Sequence, residues 1–291
     1  MRRSLSIVLA FWLSVLAMLP ACDSSVDIFT DSGQYYSLFG FLDATADTQW
    51  VRVKVLQDSM LTEAGPMDAV MTMTTLSTGN SVSWRDSIFS VIGGALVHNF
   101  WVAEPLARLE SYRLEVRRSD GATSSTTVTL PDTFATPVFS DPPLTQLPFG
   151  TGCITNFRMD AHIPSLATAD VTYYIPSTAG NEIAFTVDYS DEAVFYEEGF
   201  WRVNFKWMDD VKFLMASNPY VDITSLTRLR AVEVRVAAAG PNWPDYTLDD
   251  ETLAIPGVAS YVENGLGFVG GVVSRRIDLS LGTYRSARCF Q

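Results

Sequence analysis

Tyr112-Arg113-Leu114-Glu115-Val116-Arg117-Arg118 alternates apolar and polar side chains and runs into Ser119-Asp120-Gly121. The chain then returns through Thr126-Thr127-Val128-Thr129-Leu130. Alternation with a period of two is typical of a strand that buries one face. An Asp-Gly pair between two such runs is a strong hairpin signal. The stretch therefore predicts two antiparallel strands in a β-rich fold.

Strand-like runs of the same kind occur along most of the chain. In Gln49-Trp50-Val51-Arg52-Val53-Lys54-Val55 we expect Trp and Val on one face and Arg and Lys on the other. Short strands separated by turns, with only one short helical turn at 191–198, predict an all-β fold made of sandwiches. Further strands are predicted at 36–42, 69–73, 81–84, 169–175, 182–189, 200–207, 211–215, 231–237 and 267–273.

A proline-rich stretch divides the chain into two predicted β-sandwich domains. Five prolines fall within 131–150, and proline is excluded from helix interiors and from central strands. We predict a first sandwich at 35–132, a proline-rich linker at 133–150 and a second β-rich domain at 151–291. No duplication is expected, because the second half does not repeat the residues of the first.

The hairpin at 112–130 also carries a family resemblance. It resembles the last two strands of immunoglobulin-like and fibronectin-like modules, which often contain tyrosine, one residue and leucine, then a glycine turn and a strand that ends at proline. The resemblance implies that the first sandwich is immunoglobulin-like.

The first 34 residues have the pattern of a bacterial export signal. Two arginines precede an apolar stretch at 7–19, and Leu19-Pro20-Ala21-Cys22 follows. That run resembles the lipobox of bacterial lipoproteins, which implies a signal peptide at 1–21, an acylated Cys22 and a lipidated tether at 22–34. A plain cleaved signal and an uncleaved anchor stay open, although the apolar stretch is shorter than the roughly 20 residues of a membrane span.

The lipobox resemblance also implies a location. Acyl chains on Cys22 would hold the protein to a lipid bilayer of the bacterial cell envelope, because each buried methylene adds about 0.8 kcal/mol. We expect the outer membrane rather than the inner one.

Charge and composition exclude some partners. The chain has 33 acidic and 20 basic residues, which gives a formal charge of −13. Nucleic acid is excluded as a partner because phosphate binding needs clustered Lys and Arg, and we expect the acidic surface to repel anionic lipid as well. A hydrophobic content of 47% argues against disorder.

Two cysteines remain after Cys22. Cys153 and Cys289 form an even pair in a chain expected to be exported, where thiols oxidise, so we predict a disulfide between them. A bridge over so long a loop would constrain the unfolded chain by about 4–5 kcal/mol. Two separate free thiols are the alternative.

A glycine-rich run lies near the C-terminus. Gly265-Leu266-Gly267-Phe268-Val269-Gly270 satisfies the GxGxxG spacing, but no room remains for the rest of a dinucleotide-binding unit. We interpret the glycines as sites of tight turning and close strand packing, with a glycine-lined groove for a ligand as the alternative.

A second resemblance rests on this run and on the lipobox, Phe41-Leu42-Asp43, Trp50-Val51-Arg52-Val53 and Pro131. Together they resemble a family of uncharacterised β-rich bacterial envelope lipoproteins. The family has no assigned activity, and its members are often associated with outer-membrane nutrient-uptake receptors. The resemblance therefore implies an envelope protein as partner.

No catalytic or metal site is expected. The two histidines, His98 and His162, fall in different predicted domains, and no GxSxG elbow occurs. We interpret the acidic clusters as solvated turns, with calcium binding and glycoside hydrolysis as alternatives. They lie at Asp188, Asp191 and Glu192, at Asp209 and Asp210, and at Asp245, Asp249, Asp250 and Glu251.

Trp243 and Tyr246 are the best sequence candidates for a contact surface. They lie between prolines in a predicted loop, where aromatic side chains supply rigid contact area. The sequence thus predicts a membrane-anchored, non-catalytic envelope lipoprotein without a cofactor. It would bind or support another envelope protein such as an uptake receptor. A surface binder of glycan or peptide is the alternative, and a hydrolase is a third.

Overall fold

The computed structural model describes residues 33–56, 67–90, 96–140, 157–197, 199–222, 231–241, 243 and 261–279. Within these ranges the chain is nearly all β, which confirms the predicted fold class. No helix of this part of the chain has the length and hydropathy needed to cross a membrane.

The described residues of the first half form eight strands. They are β1 (Tyr36–Asp43), β2 (Gln49–Val55), β3 (Val70–Thr75), β4 (Ser81–Ser83), β5 (Arg85–Ser90), β6 (Leu96–Val102), β7 (Ser111–Arg117) and β8 (Thr123–Thr129). The hairpin predicted around Asp120-Gly121 is confirmed. Strands β7 and β8 pair antiparallel from Ser111 opposite Thr129 to Arg117 opposite Thr123.

The second half contains eight strands and the longest described helix. The strands are β9 (Val138–Ser140), β10 (Phe157–His162), β11 (Leu166–Pro176), β12 (Glu182–Asp188), β13 (Val194–Glu197), β14 (Phe200–Phe205), β15 (Ala231–Ala239) and β16 (Gly265–Leu279). A 3₁₀ turn covers Ser190–Glu192, and helix α1 covers Trp207–Ser217.

Each half forms a sandwich around its own core. In the first half, β1-β2-β6-β5 packs against β4-β3-β7-β8, and the buried side chains between them include Leu38, Val51, Met73, Phe100 and Leu114. In the second half, β12-β11-β15-β16 packs against β13-β14-β10-β9, and the enclosed cluster includes Met159, Val171, Tyr173, Val203 and Val234.

The two halves share one strand order. Counted from β1, the first half orders its strands 1-2-6-5 and 4-3-7-8. Counted from β9, the second half gives the same two orders. The expectation that the second half does not repeat the first is therefore wrong for topology. The repeat is not visible in the sequence, because many different residues satisfy the same alternation and the same turns.

Strand β16 joins the two sandwiches. Its first half pairs in parallel with β1, from Tyr36 opposite Gly265 to Asp43 opposite Val272. Its second half pairs antiparallel with β15, from Ala239 opposite Val272 to Val232 opposite Leu279. One eight-stranded sheet therefore runs from β12 through β16 to β5, and β16 contributes Val269 to the first core and Val273 to the second. The domain limits stay a prediction, but the halves are linked by backbone pairing.

The glycine run of β16 lets backbones approach closely. Gly267 has φ +101, and a Cβ there would overlap the carbonyl oxygen of Leu38 on β1. A Cβ on Gly271 would overlap the carbonyl oxygen of Thr129 at the end of β8. At these two positions the backbones leave no space for a side chain, as the close-packing interpretation expects.

Several local predictions need correction. The strand predicted at 211–215 lies inside α1, where the buried Asp210 and Leu214 are four residues apart and share one helical face. The helical turn predicted at 191–198 is the 3₁₀ turn followed by strand β13. The proline-rich linker contains the short strand β9, which pairs with only β10 and so lies at a sheet edge, where proline is tolerated nearby.

Candidate binding face

The outer face of β1, β2, β6 and β5 carries five aromatic side chains. Trp50 lies opposite Phe41 on β1 and opposite Trp101 on β6, and Trp101 lies opposite Arg85 on β5. Phe39 and Phe89 flank this row. We call the set formed by Phe39, Phe41, Trp50, Phe89, Trp101, Arg52, Lys54 and Arg85 the aromatic face.

The strand period explains why these rings point outward. Val51 and Val53 fill the core of the first sandwich, so Trp50 must share the other face with Arg52 and Lys54. The prediction that Trp50 lies with the valines is therefore wrong. Its side chain is 43% exposed, and Phe39 is 51% exposed. A contiguous exposed apolar patch of this kind marks an interaction site more often than a scattered exposed residue does.

The rings of the aromatic face contact one another. Trp50 stacks on Trp101 with ring centroids 5.7 Å apart, and Phe89 meets Trp50 edge-on with ring centroids 5.8 Å apart. The guanidinium of Arg85 lies 5.1 Å from the centre of the Trp101 ring. These contacts fix the rings in position, and a fixed surface loses little side-chain entropy when it binds a partner.

The charge of the aromatic face is opposite to that of the whole chain. Arg52, Lys54 and Arg85 are exposed. Among the described residues of these four strands, the one carboxylate on the same side is Asp43, which is 6% exposed and bonded to Ser274, so the exposed positions of this side carry no carboxylate. In the same part of the chain, Arg52 and Lys54 have no ion-pair partner. A chain with a formal charge of −13 thus presents a locally cationic, aromatic surface.

Trp243, predicted as a contact residue, lies beside this face and is half-buried. Its ring covers Gly270 of β16 and meets Phe268 edge-on at 5.2 Å. Phe268 lies opposite Phe39 of the aromatic face in the β16–β1 register. The ring also packs on a small apolar cluster that includes Ala237. Tyr246 lies outside the described residues, so the proposed contact role of the pair stays a prediction.

The three cysteines for which the sequence makes predictions also lie outside the described residues. Cys22, Cys153 and Cys289 belong to ranges of the chain that the structure does not describe. The acylation of Cys22 and the disulfide between the other two stay predictions.

A buried carboxylate links the two sandwiches beside β16. Asp43 is 6% exposed, and its Oδ1 accepts hydrogen bonds from the backbone N–H and the hydroxyl of Thr45, at 2.8 and 2.6 Å. Its Oδ2 accepts from the hydroxyl of Ser274 on β16, at 2.6 Å. The side chain of Gln49 bonds the backbone of Asp43 in both directions. Asp43 therefore connects the β1–β2 turn to the strand that both cores use.

A second buried carboxylate lies in the core of the second sandwich. Asp210 Oδ2 accepts hydrogen bonds from the hydroxyls of Tyr173 and Tyr189, at 2.6 and 2.7 Å. Burial raises the pKa of Asp210 above its usual value, and burial also raises the pKa values of both tyrosines. The interpretation of Asp210 as a solvated turn residue is wrong, because the first turn of α1 packs it against the sheet.

Three other described residues of the predicted acidic clusters have local partners at the surface. Asp188 accepts a hydrogen bond from the backbone N–H of Ser190, Glu192 pairs with Lys206, and Asp209 lies 3.7 Å from Lys212. The cluster at 245–251 lies outside the described residues. No described group of histidine, cysteine and carboxylate side chains could hold a metal ion.

The two histidines occupy different surroundings. His98 is buried, and its Nδ1 lies 2.9 Å from Oδ2 of Asp86 on the neighbouring strand. His162 is exposed at the end of β10, where its ring meets Phe200 edge-on. The structure does not bring the two histidines together, and the His98–Asp86 contact ties the edge strand β5 to β6.

Comparisons with known proteins leave the family open. No family model and no curated protein matches the sequence. Among solved structures, a pullulanase from Anoxybacillus sp. LM18-11 is 9% identical, over 69% of this chain and 23% of that one, with a TM-score of 0.22. A DUF4785 family protein from Legionella pneumophila is 10% identical over 69% of this chain and 50% of that one, with a TM-score of 0.22.

A third solved structure has an equally low similarity to this chain. Dimeric latent PorU from Porphyromonas gingivalis is 13% identical over 74% of this chain and 20% of that one, with a TM-score of 0.24. This chain thus spans less than a quarter of the pullulanase and of PorU. At these TM-scores the similarities carry no argument about function.

Proposed function

We propose that this chain is a lipid-anchored, non-catalytic binding protein of the bacterial cell envelope, which contacts its partner through the aromatic face. The observation that carries the proposal is the row of Phe41, Trp50 and Trp101, held in cross-strand register and flanked by Arg52 and Lys54, which have no ion-pair partner among the described residues. Exposing such rings to water has a free-energy cost, which a partner that covers them would remove.

The anchor rests on the lipobox at Cys22. Gly33, where the described chain begins, lies 11 positions after Cys22. A chain of that length has a typical end-to-end distance of about 18 Å if it behaves as a random coil. The acylated cysteine would therefore keep the first sandwich within a few tens of Å of the bilayer, with the outer membrane preferred.

The strand order supports an immunoglobulin-like first sandwich. With its eight strands lettered A, B, C, C′, D, E, F and G in chain order, the two sheets are A-B-E-D and C′-C-F-G. The immunoglobulin constant type has strands A-B-E-D on one sheet and C-F-G on the other. Such sandwiches are frequent binding scaffolds, but the fold alone does not determine a function.

The buried titratable groups support a structural rather than a catalytic role. Asp43 fastens the two sandwiches, Asp210 is held by two tyrosines, and His98 is held by Asp86. Each group is bonded to neighbouring protein atoms and belongs to a packed core or a strand pair. The disulfide between Cys153 and Cys289 belongs to the same proposal.

The anchor is tested on protein from native membranes. Mass spectrometry of the mature N-terminus should find acyl chains on Cys22, and non-reducing peptide mapping should find Cys153 linked to Cys289. A Cys22→Ser variant should lose its membrane association while the sandwiches still fold. An unmodified sulfur at position 22, or an intact leader, would refute the anchor.

The partner is tested by cross-linked co-purification from native membranes. An envelope protein, as the family resemblance suggests, should be recovered with the wild type and lost with Trp50→Ala. Recovery that is unchanged by Trp50→Ala would refute contact of that protein through the aromatic face. A glycan is a second candidate, favoured by the regular spacing of the rings along the row.

A further inference from the structure

We infer that the aromatic face binds a linear acidic polysaccharide. The inference rests on the proposed function, in that it takes this face as the binding surface, and it selects the second candidate partner, a glycan, and specifies its charge. Two observations carry it: the spacing of the rings, and the cations Arg52 and Lys54, which have no ion-pair partner among the described residues. The twist expected of any β-sheet adds a general argument about shape.

The rings lie at the spacing of neighbouring strands. Phe41, Trp50, Trp101 and Arg85 occupy one cross-strand row on four adjacent strands. Neighbouring strands lie about 4.8 Å apart, so this row extends over about 14 Å. The guanidinium groups of Arg235 and Arg85 lie 5.5 and 5.1 Å from the centres of the Phe41 and Trp101 rings, at the two ends of the aromatic part of the row. A pyranose ring has an apolar C–H face that packs on exposed aromatic surface, so a linear chain can follow the row across Trp50 with cations at both ends.

The cations select an acidic chain. Arg52 and Lys54 follow Trp50 on the outer side of β2, and Arg85 ends the row on β5. Guanidinium groups bind carboxylate and sulfate oxygens in a two-pronged geometry, and lysine adds a point charge. Because the remainder of the chain is strongly acidic, an anionic ligand would be repelled from other surfaces and favoured at this face.

The shape of the sheet disfavours a flat bilayer as partner. Neighbouring strands are rotated by about 20–25°, so four strands accumulate about 60–75° of twist. A planar membrane would touch only part of such a saddle, whereas a linear chain can follow one row of it.

An acidic peptide fits the face less well than a polysaccharide. A peptide lacks the flat C–H faces by which sugars pack on rings, and its backbone N–H and C=O groups would need partners wherever the rings cover them. The outward positions of β5 and β6 offer few polar side chains besides Ser87 and Asn99, and the Ser87 hydroxyl already accepts a hydrogen bond from Trp101.

Calorimetric titration of the purified full chain tests the inference. The probes are polygalacturonate, neutral dextran, poly-glutamate, and vesicles that contain phosphatidylglycerol. We expect binding of polygalacturonate that weakens as salt increases, and at least tenfold weaker binding of the other three. Trp50→Ala should weaken polygalacturonate binding at least tenfold. Phe195→Ala should change nothing, because Phe195 is similarly exposed but belongs to the second sandwich.

The charge contribution has its own matched pair of variants. The double variant Arg52→Gln with Lys54→Gln should remove the preference for polygalacturonate over dextran, while Lys212→Gln on α1 should preserve it. Circular dichroism of each variant checks that the fold is retained.

Several outcomes would overturn the inference. They are no binding of polygalacturonate, equal binding of dextran, tighter binding of poly-glutamate or vesicles, and equal losses for Trp50→Ala and Phe195→Ala. These results would leave the lipid anchor and the native-membrane partner of the proposed function intact, because mass spectrometry and co-purification measure those separately.

Discussion

Replacing Asp43 by alanine should destabilise the protein by about 2–4 kcal/mol. The Asp43 carboxylate accepts three hydrogen bonds at 2.6–2.8 Å, from Thr45 N–H, the Thr45 hydroxyl and the Ser274 hydroxyl. A hydrogen bond to a charged group is worth about 1.5–3 kcal/mol, so the simple sum overstates the loss. The Ser274 backbone N–H donates a fourth, longer hydrogen bond to Oδ1, at 3.4 Å. The two hydroxyls lie 2.8 Å apart and can bond each other, so the Thr45 N–H and the Ser274 N–H are the groups that lose the carboxylate as acceptor.

Equilibrium unfolding in urea, followed by tryptophan fluorescence, measures this loss. Asp43→Asn keeps one carbonyl oxygen as acceptor, so it should lose roughly half as much free energy of unfolding as Asp43→Ala. Asp47→Ala is the control, because Asp47 is exposed on the same turn and surface changes stay within about 0.5 kcal/mol. A loss for Asp43→Ala no larger than that for Asp47→Ala would refute the role of this cluster in joining the sandwiches.

Three further predictions concern stability. Burial raises the pKa of Asp210, so the native state holds this proton more tightly than the unfolded chain does. We consider the free energy of unfolding of the wild type minus that of Asp210→Asn. This difference should be highest at a pH below the usual aspartate pKa. It should decline as pH rises through the raised value, and urea titrations that show a flat or rising difference would contradict this. At Gly267 an added Cβ would overlap the backbone of Leu38, and φ is positive. Gly267→Ala should therefore lower the free energy of unfolding by about 3 kcal/mol or more. Gly79→Ala has the strain without the overlap and should lose about 1–2 kcal/mol, so equal melting temperatures for the two would contradict the packing argument. Because β16 enters both cores, the full chain should unfold in one transition by calorimetry and by fluorescence, and two separated transitions would refute the coupling.

The alternation of side chains made the fold class predictable from the sequence. The Asp-Gly turn correctly located β7 and β8, since both the turn and the strand period are local properties. The parallel pairing of β1 with β16 joins residues more than 200 positions apart, and no local pattern reports such a pair. Helix α1 was missed because a short apolar run can satisfy either period.

The candidate site was harder to predict than the fold. The sequence favours Trp243 as a contact residue because it lies in a predicted loop between prolines, but its ring covers Gly270 and is half-buried. The aromatic face was missed because Trp50 was grouped with the valines of its strand. A strict period of two would have placed Trp50 with Arg52 and Lys54, which was the available signal. The register that aligns Trp50 with Phe41 and Trp101 is a tertiary property that one sequence does not reveal.

Hydroxyl-radical footprinting of intact envelopes tests the central claim, that the aromatic face is the surface that binds a partner. Oxidation of Phe39 and Trp50 is compared between the protein in native envelopes and the purified chain, with the exposed Phe195 of the second sandwich as the reference. We predict that Phe39 and Trp50 are oxidised several-fold more slowly in envelopes, while the oxidation rate of Phe195 changes little. Equal oxidation of Trp50 in the two preparations, or equal protection of all three residues, would contradict it.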